Sequence, residues 1–309
     1  MTAIEASAPG KIILLGEHAV VYGQPALAVP LGSLRATARI VPGQPGAGLT
    51  IDALDIGVRL SLATAAMNAL SLTARLVLEA AGAAEPDAEI ELHSTIPIAS
   101  GLGSGAAVAA ALARALGEYV GRSFSAAELS DLVYEVEKVH HGTPSGIDNT
   151  VVCYEQPVYF LRGQPPRVFH AARPFHLLVA DTGMPSPTRE TVGTVRAAWQ
   201  REPERCEALF TRIGDIVRTG YRAIEGGANE KLGPLMSQNH ALLQELGVSS
   251  ARLDALAAAA VTAGALGAKL SGGGGGGSLI ALVRAADAAG VTAALESAGA
   301  VRVIHTTVS

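Results

Sequence analysis

Four short stretches of this 309-residue chain gather glycines, carboxylates and a buried-type lysine in patterns suited to ligand binding or catalysis. In PIASGLGSGAAVAAALARAL, which begins at Pro97, a glycine-rich turn runs straight into a helix whose first residues are small. The first amides of a helix have no intrahelical acceptor and lie at the positive end of its dipole. Gly101, Leu102, Gly103, Ser104, Gly105 and Ala106 therefore form a candidate anion site with phosphate as its natural guest. The loop lacks the Lys-Ser/Thr pair of a Walker A motif. Gly101, Gly103 and Ala106 satisfy G-x-G-x-x-A, but the preceding HSTIPIAS is too polar and proline-broken for the buried strand that a dinucleotide loop follows. In EKVHHGTPSGIDN, Glu137 closes a helix and Asp148 stands at the far end of the stretch, in a loop shaped by proline and glycine. One such carboxylate could hold a cation while the other serves a reacting hydroxyl. Taken alone, a solvated helix-end glutamate and a turn aspartate describe the same residues. His140 and His141 are adjacent and point different ways, which disfavours joint metal ligation.

The third stretch is SAPGKIILLGEHAVVYGQPAL. Lys11 interrupts an apolar strand, where an unpaired ammonium is costly, so it calls for an anionic partner unless it snorkels from an edge strand. Glu17 and His18, between two strands in a glycine-bounded loop, could hydrogen-bond a substrate, and a structural role for His18 stays open. The fourth is LSGGGGGGS, Leu270 to Ser278. Glycine-serine runs are commonly flexible spacers. The segment from Ser278 to Ser309 is too short for a self-sufficient domain, and the flanks are structured: SLIALV has strand length and RAADAAGVTAALESAG has helical composition. Glycine there permits positive φ and close approach of backbone to a ligand or to other backbone.

The elements that must position these residues follow from the apolar patterning. KIILL, PALAVPL, LRATARIV, LTIDALD and VRLSL read as separate short strands of a mixed or antiparallel sheet. Helices are expected over 67–81, 106–120 and about 125–140, with AEIELHS as an alternating strand. A strand at 158–162 precedes RGQPPRVFHAARP, read as the region where the chain crosses between two domains. Beyond it come a strand at 175–181, three or four helices over 188–264, and a closing series of strand, glycines, strand, helix and the strand VRVIHTTV. That order suggests helices on one face of an antiparallel sheet, and an α+β chain as a whole. With 49% hydrophobic and 17% charged residues, a sizeable core is available. A net charge of -5 without a basic block disfavours nucleic-acid binding, and Cys153 and Cys206 lack metal-ligand spacing. No apolar run is long enough to span a bilayer and the N-terminus lacks the order of a signal peptide, so a cytoplasmic protein without a membrane partner is expected.

In this order the segments resemble the GHMP kinase superfamily, and GEHAVVYGQPALAV resembles its mevalonate kinase branch. The similarity spans nearly the full chain, and DTGMPSPTRETV, Asp181 to Val192, resembles the family's substrate-side loop ahead of a helix. The resemblance implies an N-terminal domain like the second domain of ribosomal protein S5, taken as residues 1–170. It also implies a ferredoxin-like C-terminal domain, residues 171–309, with the active site in the cleft between them. It implies ATP and Mg2+ as cofactors and mevalonate as small-molecule substrate, converted to 5-phosphomevalonate in isoprenoid precursor biosynthesis, with homodimer formation left open.

Carried over by position, Asp148 matches the catalytic aspartate and Lys11 the lysine that contacts it and the reacting hydroxyl. Glu137 matches the magnesium ligand, with Ser104 beside it. Pro97, Gly101, Leu102, Gly103, Ser104, Gly105 and Ala106 would hold the ATP phosphates. Gly273, Gly274 and Gly275 would wall the same site, and Glu17, His18 and Thr188 would shape the mevalonate pocket. Two departures stand out: Gly105 replaces the second serine of the usual Gly-Leu-Gly-Ser-Ser, and Gly273 replaces a small side chain. A kinase for homoserine or phosphomevalonate, and a non-catalytic nucleotide sensor, are the alternatives.

Overall fold

The structure, a computed structural model, describes residues 3–141, 144–186 and 188–309. Gly142 and Thr143 of HGTPSGIDN, and Pro187, lie outside the described residues, as do the side chains of His140 and His141. The chain divides into two compact units: 1–11, 30–97 and 103–155 in one, 12–29, 98–102 and 156–309 in the other. This partition differs from a single cut at 170/171. Strands β1 (Ile4–Leu15) and β2 (Ala26–Pro42) each run from one unit into the other, so sequence order and unit membership separate.

In the first unit, β3 (Leu49–Ala53) and β4 (Val58–Ser61) pair antiparallel, and helix α1 (Ala69–Ala81) follows. Asn68 and Ser71 cap α1 reciprocally, side chain to backbone amide in each direction. Strand β5 (Ala88–Ser94) alternates buried and exposed side chains, as AEIELHS predicts. It runs parallel to β3 and antiparallel to the second half of β2, from Ala36 opposite Ser94 to Pro42 opposite Ala88. The sheet is therefore mixed. Helices α2 (Ser104–Tyr119), α3 (Ala126–His141) and α4 (Ile147–Tyr154) complete the unit. α2 buries a run of alanines, whose small side chains let neighbouring helices approach closely.

PALAVPL and LRATARIV, expected as two strands, are one strand of 17 residues. Residues 26–28 pair with β6 (Val158–Phe160) and residues 36–42 with β5, so Pro30 and Gly32 fall between the two pairings, where a missing donor interrupts neither.

In the second unit, β7 (Arg167–Val168) pairs with β6, and a separate four-stranded sheet follows. Its first strand is β8 (Phe175–Asp181). Helices α5 (Thr188–Arg201), α6 (Pro203–Glu225), α7 (Leu232–Glu245) and α8 (Ala251–Thr262) come next, then β9 (Gly267–Ser271), β10 (Ser278–Val283), α9 (Ala288–Ser297) and β11 (Arg302–Val308). The sheet order is β11-β8-β10-β9 with every pairing antiparallel. Each residue of β9 and β10 is buried, so the continuous apolar run SLIALV is a fully covered strand. α7 lies in backbone contact with β9: a methyl group on Gly267 would collide with the Gly233 carbonyl.

Candidate active site

Lys11 lies near the middle of β1, and its ammonium finds its partner in a remote part of the sequence, at 3.0 Å from Asp148 Oδ1. The pair is asymmetric, with Lys11 3% exposed and Asp148 27%. Asp148 is not in a loop, as the glycine and proline around it suggest, but in the first turn of α4. Gly146, at φ 93°, turns the chain into the helix, and a carboxylate is favoured at that helix end. α4 is held at both ends. Asn149 Nδ2 donates to Ser130 Oγ at 2.9 Å, tying the helix to α3, and Arg114 of α2 donates to the Cys153 carbonyl at 3.0 Å and pairs with Glu155. Asp148 is thereby fixed by groups that take no part in its chemistry.

Glu137 projects from α3 into the same cluster and is buried. Burial pushes its carboxyl up to about 8, the negative Asp148 adds to the effect, and Lys11 opposes it. With Glu137 ionised, two carboxylates around one ammonium leave the cluster short of one positive charge. Among the described residues no group of three His, Cys, Asp or Glu could hold a metal alone. The set fits Mg2+, which takes one or two carboxylates and completes its shell with phosphates and water.

The first glycine segment is built as its sequence suggests. Gly101 and Gly103 have φ of 77° and 75°, and α2 starts at Ser104 with no side chain capping its first turn and no acidic residue in it. The leading amides of α2 thus keep their donor capacity for an anion. Leu102 and Ala106 bury their side chains, so these two could offer a ligand only backbone amides. Gly103 has a second reason: a Cβ there would come 2.9 Å from Lys11 Cγ, so the glycine makes room for the lysine stem.

In the second unit Glu17 meets Lys269, a residue to which the sequence assigns no role. The two side chains form an ion pair with 0% exposure on each, and Lys269 also donates to the Leu270 carbonyl. Burial pulls the Lys269 pKa down and Glu17 holds it up. The available signal was a lone cation in the apolar run GALGAKL, the same signal that marks Lys11 in GKIILL. His18, at φ 59°, bonds the Gly273 carbonyl through Nε2 at 3.0 Å, which places its proton on that nitrogen. Burial holds its pKa down at about 4 despite that bond, with Lys269 adding to the depression, so the imidazole is neutral.

Thr188 opens α5 against the late glycines: a Cβ on Gly273 would lie 2.7 Å from Thr188 Oγ1. Gly274, at φ 80°, would drive a Cβ into the Val248 carbonyl, and Gly275 N donates to that same carbonyl at 2.8 Å. The six glycines are a packed turn between β9 and β10. Gly272 faces Gly101 backbone to backbone, its added Cβ 3.6 Å from the Gly101 carbonyl oxygen. The structure therefore brings Lys11, Asp148 and Glu137 together in one unit, and Glu17, His18, Thr188 and Gly273 in the other.

Against known families, residues 63–156 match the model of the GHMP kinases N terminal domain and residues 221–301 that of the GHMP kinases C terminal. A mevalonate kinase of Pyrococcus abyssi is 35% identical over 298 residues, covering 90% of this chain and 88% of the relative. The crystal structure of L. major mevalonate kinase in complex with R-mevalonate superposes with a TM-score of 0.85 at 27% identity, over 99% of this chain and 95% of that one. Methanococcus jannaschii mevalonate kinase shares the fold, with a TM-score of 0.86 at 24% identity over 99% and 98% of the two chains. With both of its domain models matched and a curated relative aligned along nine-tenths of its length, the chain belongs to the GHMP kinase family.

Proposed function

We propose that this chain transfers the γ-phosphoryl group of ATP to the 5-hydroxyl of mevalonate, giving 5-phosphomevalonate and ADP. The observation that carries the reading is the 3.0 Å contact between buried Lys11 and Asp148 with Glu137 in the same cluster. The acceptor is inferred from the relatives, since the mevalonate kinase of Pyrococcus abyssi aligns along 90% of this chain.

Phosphoryl transfer has a loose, highly charged transition state, so positioning and electrostatics carry the catalysis. Asp148 accepts the proton of the attacking hydroxyl. Lys11 pairs with Asp148 and stabilises charge on the attacking oxygen as it develops. Glu137 would be the principal protein ligand for Mg2+, which would supply positive charge against the ATP phosphates. The leading amides of α2 and the Ser104 hydroxyl bind those phosphates, with the turn from Pro97 to Gly103 and the segment Gly273 to Gly275 shaping the space around them. Gly105 offers no hydroxyl, so this position would add no side-chain ligand for the metal. Glu17, His18 and Thr188 hold the acceptor, His18 as a neutral hydrogen-bonding group.

The test is an assay of ADP release with mevalonate, phosphomevalonate and homoserine as acceptors, the product identified by mass. Turnover highest with mevalonate and a 5-phosphorylated product support the reading. Faster turnover with another acceptor reassigns the substrate, and tight nucleotide binding without turnover of any acceptor replaces the kinase with a sensor.

A further inference from the structure

Two neighbouring residues on α7 bond the backbone next to opposite members of the buried ion pair in the second unit. Asn239, fully buried, accepts the Gly16 amide proton on Oδ1 at 3.2 Å, and Glu17 is the next residue. His240 accepts the Leu270 amide proton on Nδ1 at 3.3 Å, and Lys269 is the residue before. α7 thus grips the backbone immediately beside each charge. We propose that Asn239 and His240 are positioning residues that set the Lys269–Glu17 pair and, through Glu17, the acceptor pocket; this rests on the reading of Glu17 as an acceptor-binding group.

The chemistry of each contact is directional. The Gly16 amide fixes which way the Asn239 side chain is turned, because its Nδ2 cannot face an N–H donor. That orientation leaves Nδ2 buried with no hydrogen-bond partner among the described residues. A buried donor left unmet is costly, so a site selected for stability alone would favour a different side chain. At His240 the Leu270 donor requires a bare Nδ1, so the proton sits on Nε2, 3.2 Å from Asp254 Oδ1. Asp254 on α8 lies beside that nitrogen without the alignment of a hydrogen bond, so the Leu270 amide is the contact that fixes the tautomer. Helix α7 also approaches β9 backbone to backbone at Gly233 and Gly267, so its side chains have little freedom to shift relative to Lys269. An ion pair sealed from water has no solvent to reorient it. Its direction is set by the backbone on either side, and α7 holds that backbone at both ends.

The experiment is steady-state kinetics on the full chain with Glu17→Gln, Asn239→Ala, His240→Leu and His240→Asn, with thermal midpoints recorded for each. Asn239→Ala and His240→Leu are expected to raise KM for mevalonate about fivefold, the size of one net hydrogen bond, while KM for ATP moves less than about twofold. His240→Asn places an amide oxygen where Nδ1 stands and is expected to recover most of the loss. A purely structural role lowers the folded fraction and the thermal midpoint but leaves both KM values alone; that result, or equal shifts in both, overturns the proposal. If Asn239→Ala does not fold, the two His240 variants carry the same test. Should Glu17→Gln leave KM for mevalonate unchanged, the assignment of Glu17 itself falls. Should Glu17→Gln raise it while folded Asn239 and His240 variants do not, only the positioning role falls.

Discussion

The two units each bury a lysine against a carboxylate, and the two pairs are built for different work. Lys269 and Glu17 are matched one to one, sealed at 0% exposure, and neutral as a pair. Lys11 is shared between two carboxylates, and its partner Asp148 keeps 27% of its side chain exposed. A sealed and balanced pair brings no net charge to a guest. Once its desolvation has been offset by mutual attraction, it serves the acceptor by hydrogen bonding and by position. A half-open cluster keeps its second carboxyl neutral by holding a proton, and a cation that displaces the proton takes over the balance. The difference separates positioning from chemistry among residues that look alike in sequence.

The sharpest way to break this comparison is to neutralise the half-open pair. Asp148→Asn is expected to fold and to bind ATP but to lose about two to four orders of magnitude in turnover, the range for removing a general base. Lys11→Met should likewise depress turnover more than it raises KM for mevalonate, because the ammonium is needed mainly as charge develops on the attacking oxygen. Its thermal stability should change by only about 1 kcal/mol, since Asp148 can rehydrate. Near-normal turnover in a folded Asp148→Asn protein would end its role.

The sealed pair should respond the other way. Lys269→Met leaves Glu17 buried without its cation and is expected to cost about 3 to 5 kcal/mol of stability. Much of that loss should return when Glu17→Gln is added, because the orphaned charge is then gone. Denaturant unfolding of the three variants reads the effect, and equal losses for Lys269→Met and Lys11→Met would erase the distinction between the pairs.

Glu137 gives a pH signature with a definite sign. Its carboxyl rises from 4.5 to about 8 in the folded protein, so without metal the folded state binds the extra proton. That contribution to stability is complete below 4.5 and is lost as pH climbs through 8, a decline of up to a few kcal/mol. Mg2+ competes with that proton, so the metal concentration for half-maximal rate should fall as pH rises, by at most about tenfold per unit. In Glu137→Gln both trends should flatten and the metal requirement should rise far more than in Ser104→Ala. A larger shift for Ser104→Ala would move the metal onto the loop.

The smallest effect is expected at Gly105. It lies in the first turn of α2 and not among the glycines with positive φ, so Gly105→Ser brings no backbone strain. Thermal stability should rise by roughly 0.5 kcal/mol from helix propensity, with turnover within about twofold and an unchanged or lower Mg2+ requirement. A turnover loss beyond tenfold would show that the amide needs the space a serine fills.

The features legible from residue order alone are mostly local. The periodicity of AEIELHS and SLIALV, the glycine-to-helix turn before Ser104 and the cost of a cation inside KIILL are properties of neighbouring residues, so β5, β10, the start of α2 and the need for a partner at Lys11 were all legible. The tertiary structure decided which carboxylate answers which lysine, because Asp148 and Lys11 meet from opposite ends of the first unit's sequence, and Glu17 and Lys269 from opposite ends of the chain. It decided that Asp148 stands in a helical first turn, since Gly146 and Pro144 mark a turn equally well whether a loop or a helix follows. It also decided why Gly273 and Gly274 are glycines, since Thr188 and the Val248 carbonyl that exclude a side chain there come from remote parts of the chain. Local pattern carries the demand for a partner or for space. The partner itself, and whatever occupies the space, is set by long-range packing that no spacing in one sequence encodes.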